Sequence, residues 1–164
     1  MTDENKPSFK KQDIEKFIVR AKQAGWVNAI SGGRKIQSSR MDSLDIVFDE
    51  SGFHYQDSFV GASDFCGQEH VCNEGSAVWS QVYYGVILKP ELITAAQVIG
   101  VLRASLAALY SEDRFLGGFL FQQGEFEYRD MNFGDFRKFN GIEKIWRNGE
   151  LVYELTYFGG MVRQ

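Results

Sequence analysis

From Gln12 the apolar positions fall at a helical spacing. Ile14, Phe17, Ile18 and Ala21 stand at i, i+3, i+4 and i+7, with Lys10, Lys11, Glu15 and Lys16 on the other face, and Gly25 offers a stop. The spacing predicts one amphipathic helix after a polar lead-in over residues 1–10. Residues 28–43 show no period; rich in Gly and Ser and carrying Arg34, Lys35 and Arg40, they read as the longest loop of the chain and a place for function. Short apolar–polar alternations follow, "LDIVF", "FHYQDSF", "FCGQEHVC" and "AVWSQVYYGVIL", each closed by turn residues, which predicts an antiparallel meander. Residues 91–110, behind Pro90, are apolar on nearly every side, so a central helix covered by sheet is expected there. Four more strand patterns close the chain, the last two joined at Asn148-Gly149, a strong hairpin signal.

The second run of strands repeats the first. Phe53, Tyr55, Asp57 and Gly61 recur as Phe126, Tyr128, Asp130 and Gly134; after one inserted residue, Gly67, Glu69, Gly75, Val78, Tyr83 and Gly85 recur as Gly141, Glu143, Gly149, Val152, Tyr157 and Gly159. The expected fold class is therefore α+β: an internal duplication of a helix plus four-strand antiparallel meander, about 12–88 and 91–162, with curved sheet packed around a buried central helix. One such unit is too small to enclose its own apolar face, so the whole of 1–164 reads as a single domain, with a groove at the seam.

Composition narrows the classes. Hydrophobic residues make up 44% and charged residues 24%, a globular balance, while aromatics at 15%, with 17 Gly and only 2 Pro, lean toward sheet and tight turns. A net charge of −4 argues against nucleic-acid binding. The first residues lack an apolar core, and the apolar stretch over 92–110 is interrupted by Gln97 and Arg103, so neither a signal peptide nor a membrane partner is expected; the reading is cytoplasmic. Cys66 and Cys72, six residues apart on one predicted strand, would lie roughly 20 Å from each other, too far for a disulfide. With His54 and His70 they show no zinc spacing, and neither metal nor cofactor is expected.

Candidate chemistry is dispersed. Ser38, Ser39 and Arg40 can bind an anion through hydroxyls, amides and a guanidinium; the bland alternative pairs Arg40 with Asp42 or Asp45. Tyr55 and Asp57, like Tyr128 and Asp130, alternate on one strand face, either as acids near the seam or as strand-ending carboxylates that cap turns. Glu69 and Glu143 read as structural, paired across strands with Lys or Arg. Trp79, Tyr83 and Tyr84 carry polar tips on an aromatic strand and form the best pocket candidate, opposed to Tyr153, Tyr157 and Phe158. No Ser-His-Asp order, Cys-His pair, metalloprotease helix or dinucleotide glycine pattern appears, so catalytic residues are unassigned.

The phrases "SSRMDSLDIVF", "YQDSFVGASDFCGQEHVCNEGSAVWSQVYYG" and "GDFRKFNGIEKIWRNGELVYELTYFGG" resemble an uncharacterised bacterial domain family whose members occur alone or behind an Xre-type helix-turn-helix module. That resemblance implies a sensory part in such fusions. This chain departs from the family at Gln81-Val82, where Met-Asn is usual, and carries no helix-turn-helix pattern. The functional expectation is a small-molecule-binding or sensory domain, its pocket at the seam and formed by Arg40, Ser39, Tyr55, Trp79, Tyr83 and Tyr84. The alternatives are a protein-interaction module, either partner-binding or homodimeric, and, less favoured, a small enzyme.

Overall fold

The computed structural model describes residues 11–27 and 33–163; the lead-in and the first part of the predicted loop lie outside the described residues. Helix α1 spans Lys11–Lys22 and runs into a π-helical turn, Gln23–Val27, kinked at Gly25. The strands are β1 (Arg34–Ile36), β2 (Leu44–Glu50), β3 (Phe53–Gly61), β4 (Phe65–Asn73) and β5 (Ser76–Ile87); then come helix α2 (Ala95–Tyr110) and β6 (Phe119–Gln123), β7 (Phe126–Asp135), β8 (Lys138–Arg147) and β9 (Glu150–Met161). All nine form one antiparallel sheet in the order β1-β2-β3-β4-β5-β9-β8-β7-β6.

The expected fold class is corrected on this point. Helix-plus-four-strand units wrapped around a central helix are not what forms: one continuous sheet runs through both runs of strands, and both helices lie against it. A strand also appears inside the predicted loop, where Arg34, Lys35 and Ile36 pair with Val47, Ile46 and Asp45. Helix α2 begins later than expected, with Thr94 as its N-cap in a reciprocal capping box with Gln97. Only part of α2 is buried, Val98, Val101, Leu102, Ser105, Leu109 and Tyr110, while Ala96, Gly100 and Arg103 are exposed. The all-round apolar reading failed because Ala and Gly count as apolar in a pattern yet bury little area, so the outward face can carry them at small cost.

Local chemistry explains the meander. Ser51-Gly52, Glu74-Gly75 and Asn148-Gly149 have positive φ at both positions, the two-residue turns whose twist matches the flanking strands. Register shifts at Val71/Cys72 and Ile145/Trp146 place one bulge in each half of the sheet, which bends it. One sheet face packs on the helices. Ile14, Phe17, Ile18 and Ala21 of α1 are fully buried, and the Phe17 ring stacks on Phe53 at 5.0 Å. No helix among the described residues is long and apolar enough to cross a membrane. Cys66 and Cys72 both lie on β4 and are free.

Candidate functional site

Strand alternation sends every second residue of β2–β9 toward the helices. Register then sets those residues in rows across the sheet. One row reads Ile46, Asp57, Glu69, Gln81 and Gly159, strand by strand from β2 to β9. The next reads Phe59, Gly67, Tyr83, Tyr157, Gly141 and Asn132. The third reads Phe65, Gly85, Leu155, Glu143, Asp130 and Phe119. Four carboxyl groups thus meet on the covered face, as the cross-strand pairs Asp57–Glu69 and Asp130–Glu143. Gly67 and Gly141 make room for the middle row: a Cβ on Gly67 would come within 2.4 Å of the Tyr83 hydroxyl oxygen, and one on Gly141 within 2.3 Å of the Tyr157 ring.

Each acid has a different environment. Glu69 is held by Lys22 of α1 at 2.5 Å, with both side chains nearly excluded from solvent, and accepts a second bond from Gln81 at 3.2 Å. The Lys22 ammonium also lies 5.7 Å from the Trp79 ring centre and 5.6 Å from that of Phe115, so its remaining surface is covered by aromatic faces. Asp57 accepts the Tyr83 hydroxyl at 2.7 Å. Asp130 accepts the Tyr157 hydroxyl at 2.7 Å and the Asn132 amide at 2.7 Å. Glu143 is the exception: its Oε2, like the hydroxyls of Tyr128 and Tyr153, is buried without a well-formed hydrogen bond, and the Tyr128 hydroxyl is the one donor that acts on its carboxyl. Burial, reinforced by the charge of Glu69, pushes the Asp57 carboxyl up to about 8. Burial and the neighbouring Asp130 carry Glu143 up to about 8 as well. Burial likewise raises Asp130. One buried lysine cannot balance four desolvated carboxylates, so protons do the rest.

Above this floor lies a cavity of about 320 Å³. Ile99, Leu102, Leu106 and Leu109 of α2 form one wall, and Phe59, Phe65 and Leu155 of the sheet another. Asp57, Glu69, Gln81, Asp130 and Glu143 line its polar side. Trp26, Lys35, Leu44, Ala62 and Arg103 line it at the surface, the Arg103 guanidinium stacked 5.0 Å over the Trp26 ring. The combination of apolar walls with a few convergent polar groups is the usual make-up of a small-molecule site. Among the described residues no three His, Cys, Asp or Glu side chains converge closely enough to hold a metal ion.

The pocket candidates divide. Tyr55 and Tyr83 line the cavity. Trp79 is fully buried beneath Lys22, and its indole N–H donates to the Phe136 carbonyl at 3.0 Å, a packing position in the core. Tyr84 points to the opposite face, because it neighbours an inward residue on the strand, and is 54% exposed. Ser39 and Arg40 form no anion site with the cavity. The Ser39 amide donates to Asp45 at 3.1 Å, and Arg40 donates to the carbonyl and hydroxyl of Ser58, both at 2.8 Å, so this loop latches onto β2 and β3. Burial pushes Asp45 up, but hydrogen bonds from Ser39, Ser43 and Ser58 outweigh it and hold the carboxyl down at about 2.

Two further readings are corrected. Asp57 and Asp130 do not end their strands; both sit mid-strand and buried. Glu69 is paired with a lysine, but one from α1 and not from a neighbouring strand. Lys22 was the residue missed, and the sequence holds its signal: four positions after Ile18, it falls on the apolar stripe of α1, where a lysine must find a buried partner. The α2 wall was missed for want of any pattern that says what a buried helix faces.

A family described as a domain of unknown function, DUF5680, matches residues 57–162. Neither a curated protein nor a solved structure matches the chain.

Proposed function

The chain belongs to that family of domains of unknown function, and from the geometry of its cavity we propose that it is a small-molecule-binding or sensory module. The observation that carries this reading is the buried polar floor facing open, apolar-walled space of about 320 Å³. A purely structural core would fill that space, since interiors pack densely and buried polar groups find partners. The seam supports it too, because lining residues come from both runs of strands: Asp57, Glu69 and Tyr83 from the first, Glu143, Leu155 and Tyr157 from the second. The resemblance to bacterial domains that follow Xre-type helix-turn-helix modules fits a sensory role, and the free Cys66 and Cys72 fit a reducing, cytoplasmic setting.

The test is a thermal-shift screen of a diverse compound library on the unaltered protein and on Leu106→Trp, which fills the cavity from α2. A ligand at 100 times its Kd adds about 2.7 kcal/mol, or about 5–10 °C for a chain of this size. Compounds that stabilise the unaltered protein and leave Leu106→Trp unmoved are expected; a library without any such compound refutes the reading.

One observation favours a second reading, self-association. On the sheet face away from the helices, Tyr84 and Phe158 flank the β5–β9 seam and are 54% and 59% exposed, with Phe133 beyond them at 78%. The register sets Tyr84 opposite Thr156 and Phe158 opposite Val82, so the two rings lie on adjacent strands in one exposed patch, and a twofold interface brings that same patch of two copies together. Light scattering decides this: a mass of about twice 18.7 kDa supports it and a monomer mass sinks it.

A further inference from the structure

The two acid pairs of the floor stand at like registers but have unlike partners. Opposite Glu69 on the neighbouring strand is Gln81, whose amide bonds it; opposite Glu143 is Leu155, which cannot. Lys22 reaches Glu69 and ion-pairs with it, while none of the ion pairs among the described residues involves Glu143. Of the buried polar atoms without a well-formed hydrogen bond, Glu143 Oε2 and the Tyr128 hydroxyl belong together, for Tyr128 acts on the Glu143 carboxyl as a donor, while the Tyr153 hydroxyl lies over Gly85. Tyr128 and Tyr153 are fully buried, and Glu143 lines the cavity.

An ionised carboxylate offers about four acceptor sites, and the single O–H of Tyr128 fills at most one, so Glu143 has room for a donor with several N–H bonds. An ammonium group supplies three, and at Glu69 the protein itself uses one, from Lys22. Leu155 and the leucines of α2 require whatever carries that ammonium to be apolar. We propose that the cavity takes an organic cation, a primary amine on an apolar body, with its ammonium bonded to Glu143. This rests on the small-molecule reading and gives it a chemical class. Lys35 and Arg103 also line the cavity, but both are exposed, where water and salt screen them, so the buried end sets the preference. Titratable groups face Glu143 from every layer: Lys22 from α1, Tyr110 from α2, Glu69 from β4, Tyr128 and Asp130 from β7 and Tyr153 from β9. Of these only Lys22 is cationic, and it is committed to Glu69.

The experiment is isothermal titration of the full chain at pH 7 with phenethylamine and tryptamine, each beside its isosteric alcohol and carboxylate, in two buffers of different ionisation enthalpy. The amines should bind at least tenfold more tightly than the matching alcohols and carboxylates. Amine binding should release close to one proton, because Glu143, held at about 8, ionises on pairing. Glu143→Gln should weaken the amines tenfold or more and leave the alcohols within about twofold. Alcohols or carboxylates that bind as well as the amines, or amines indifferent to Glu143→Gln, overturn the amine assignment and leave the cavity reading standing. If neither these probes nor any library compound binds, both fall. Should Glu143→Gln fail to fold, the proton count on the unaltered protein decides, and zero release overturns the proposal.

Discussion

Replacing Asp57 by Asn should make the protein more stable than the unaltered chain in mild alkali and less sensitive to pH. The Asp57 carboxyl lies mid-strand, 4% exposed, with its charge disfavoured by burial and by Glu69, and it titrates at about 8 in place of the ordinary 3.8. The folded state therefore holds a proton that the unfolded chain has lost. The stability tied to that proton is fully present below the unfolded value and is lost as pH rises toward 8, at up to about 1.4 kcal/mol per pH unit. Between pH 6 and 8 this group alone costs the unaltered protein about 2 kcal/mol, and Glu143 acts in the same direction. Asparagine cannot ionise, and its Oδ1 still accepts the Tyr83 hydroxyl that Asp57 binds at 2.7 Å. Urea unfolding at half-unit steps across this range should show the variant gaining about 2 kcal/mol on the unaltered protein, equivalent to a shift of about 4–8 °C. Curves for the two proteins that stay parallel from pH 6 to 8 would mean that Asp57 is ionised throughout, and the account of the floor as proton-neutralised would fail.

Two other substitutions probe the same floor. Lys22→Met leaves Glu69 buried without its cation and should cost about 3–5 kcal/mol by urea unfolding, whereas the double variant with Glu69→Gln should recover most of that loss; a double variant no better than the single would show that the lysine stem, and not its charge, matters. Gly67→Ala drives a methyl into the Tyr83 ring, 2.4 Å from its hydroxyl oxygen, and should destabilise by about 1–3 kcal/mol while raising tyrosine solvent exposure in ultraviolet difference spectra; an unperturbed spectrum would mean that the ring does not lie over the glycine.

The elements were legible where one local signal sufficed. Alternation marked the strands on either side of the seam, and Asn148-Gly149 marked its turn, because side-chain period and positive φ are properties of a few adjacent residues. The strand Arg34–Ile36 was not legible, since three residues at a sheet edge carry no period. Nor was the single sheet: whether β5 pairs with β9, or each run of strands closes on itself, depends on contacts about seventy residues apart, on which local pattern is silent.

The site was half legible for a related reason. Recurring phrases point to what the two runs of strands hold in common, and Asp57, Glu69, Asp130 and Glu143 do stand at matching registers. Read as a shared structural need, they look inert. What distinguishes them is what differs: Gln81 against Leu155, and a single Lys22 delivered by a helix to one acid only. A buried acid with no cation and one tyrosine hydroxyl for a donor is costly and persists only where something offsets it, whether a proton, as near neutrality here, or a bound donor. The chemical interest of this sheet therefore lies where the correspondence breaks, at Glu143, and the titration with amines asks which of those two occupants the protein was built for.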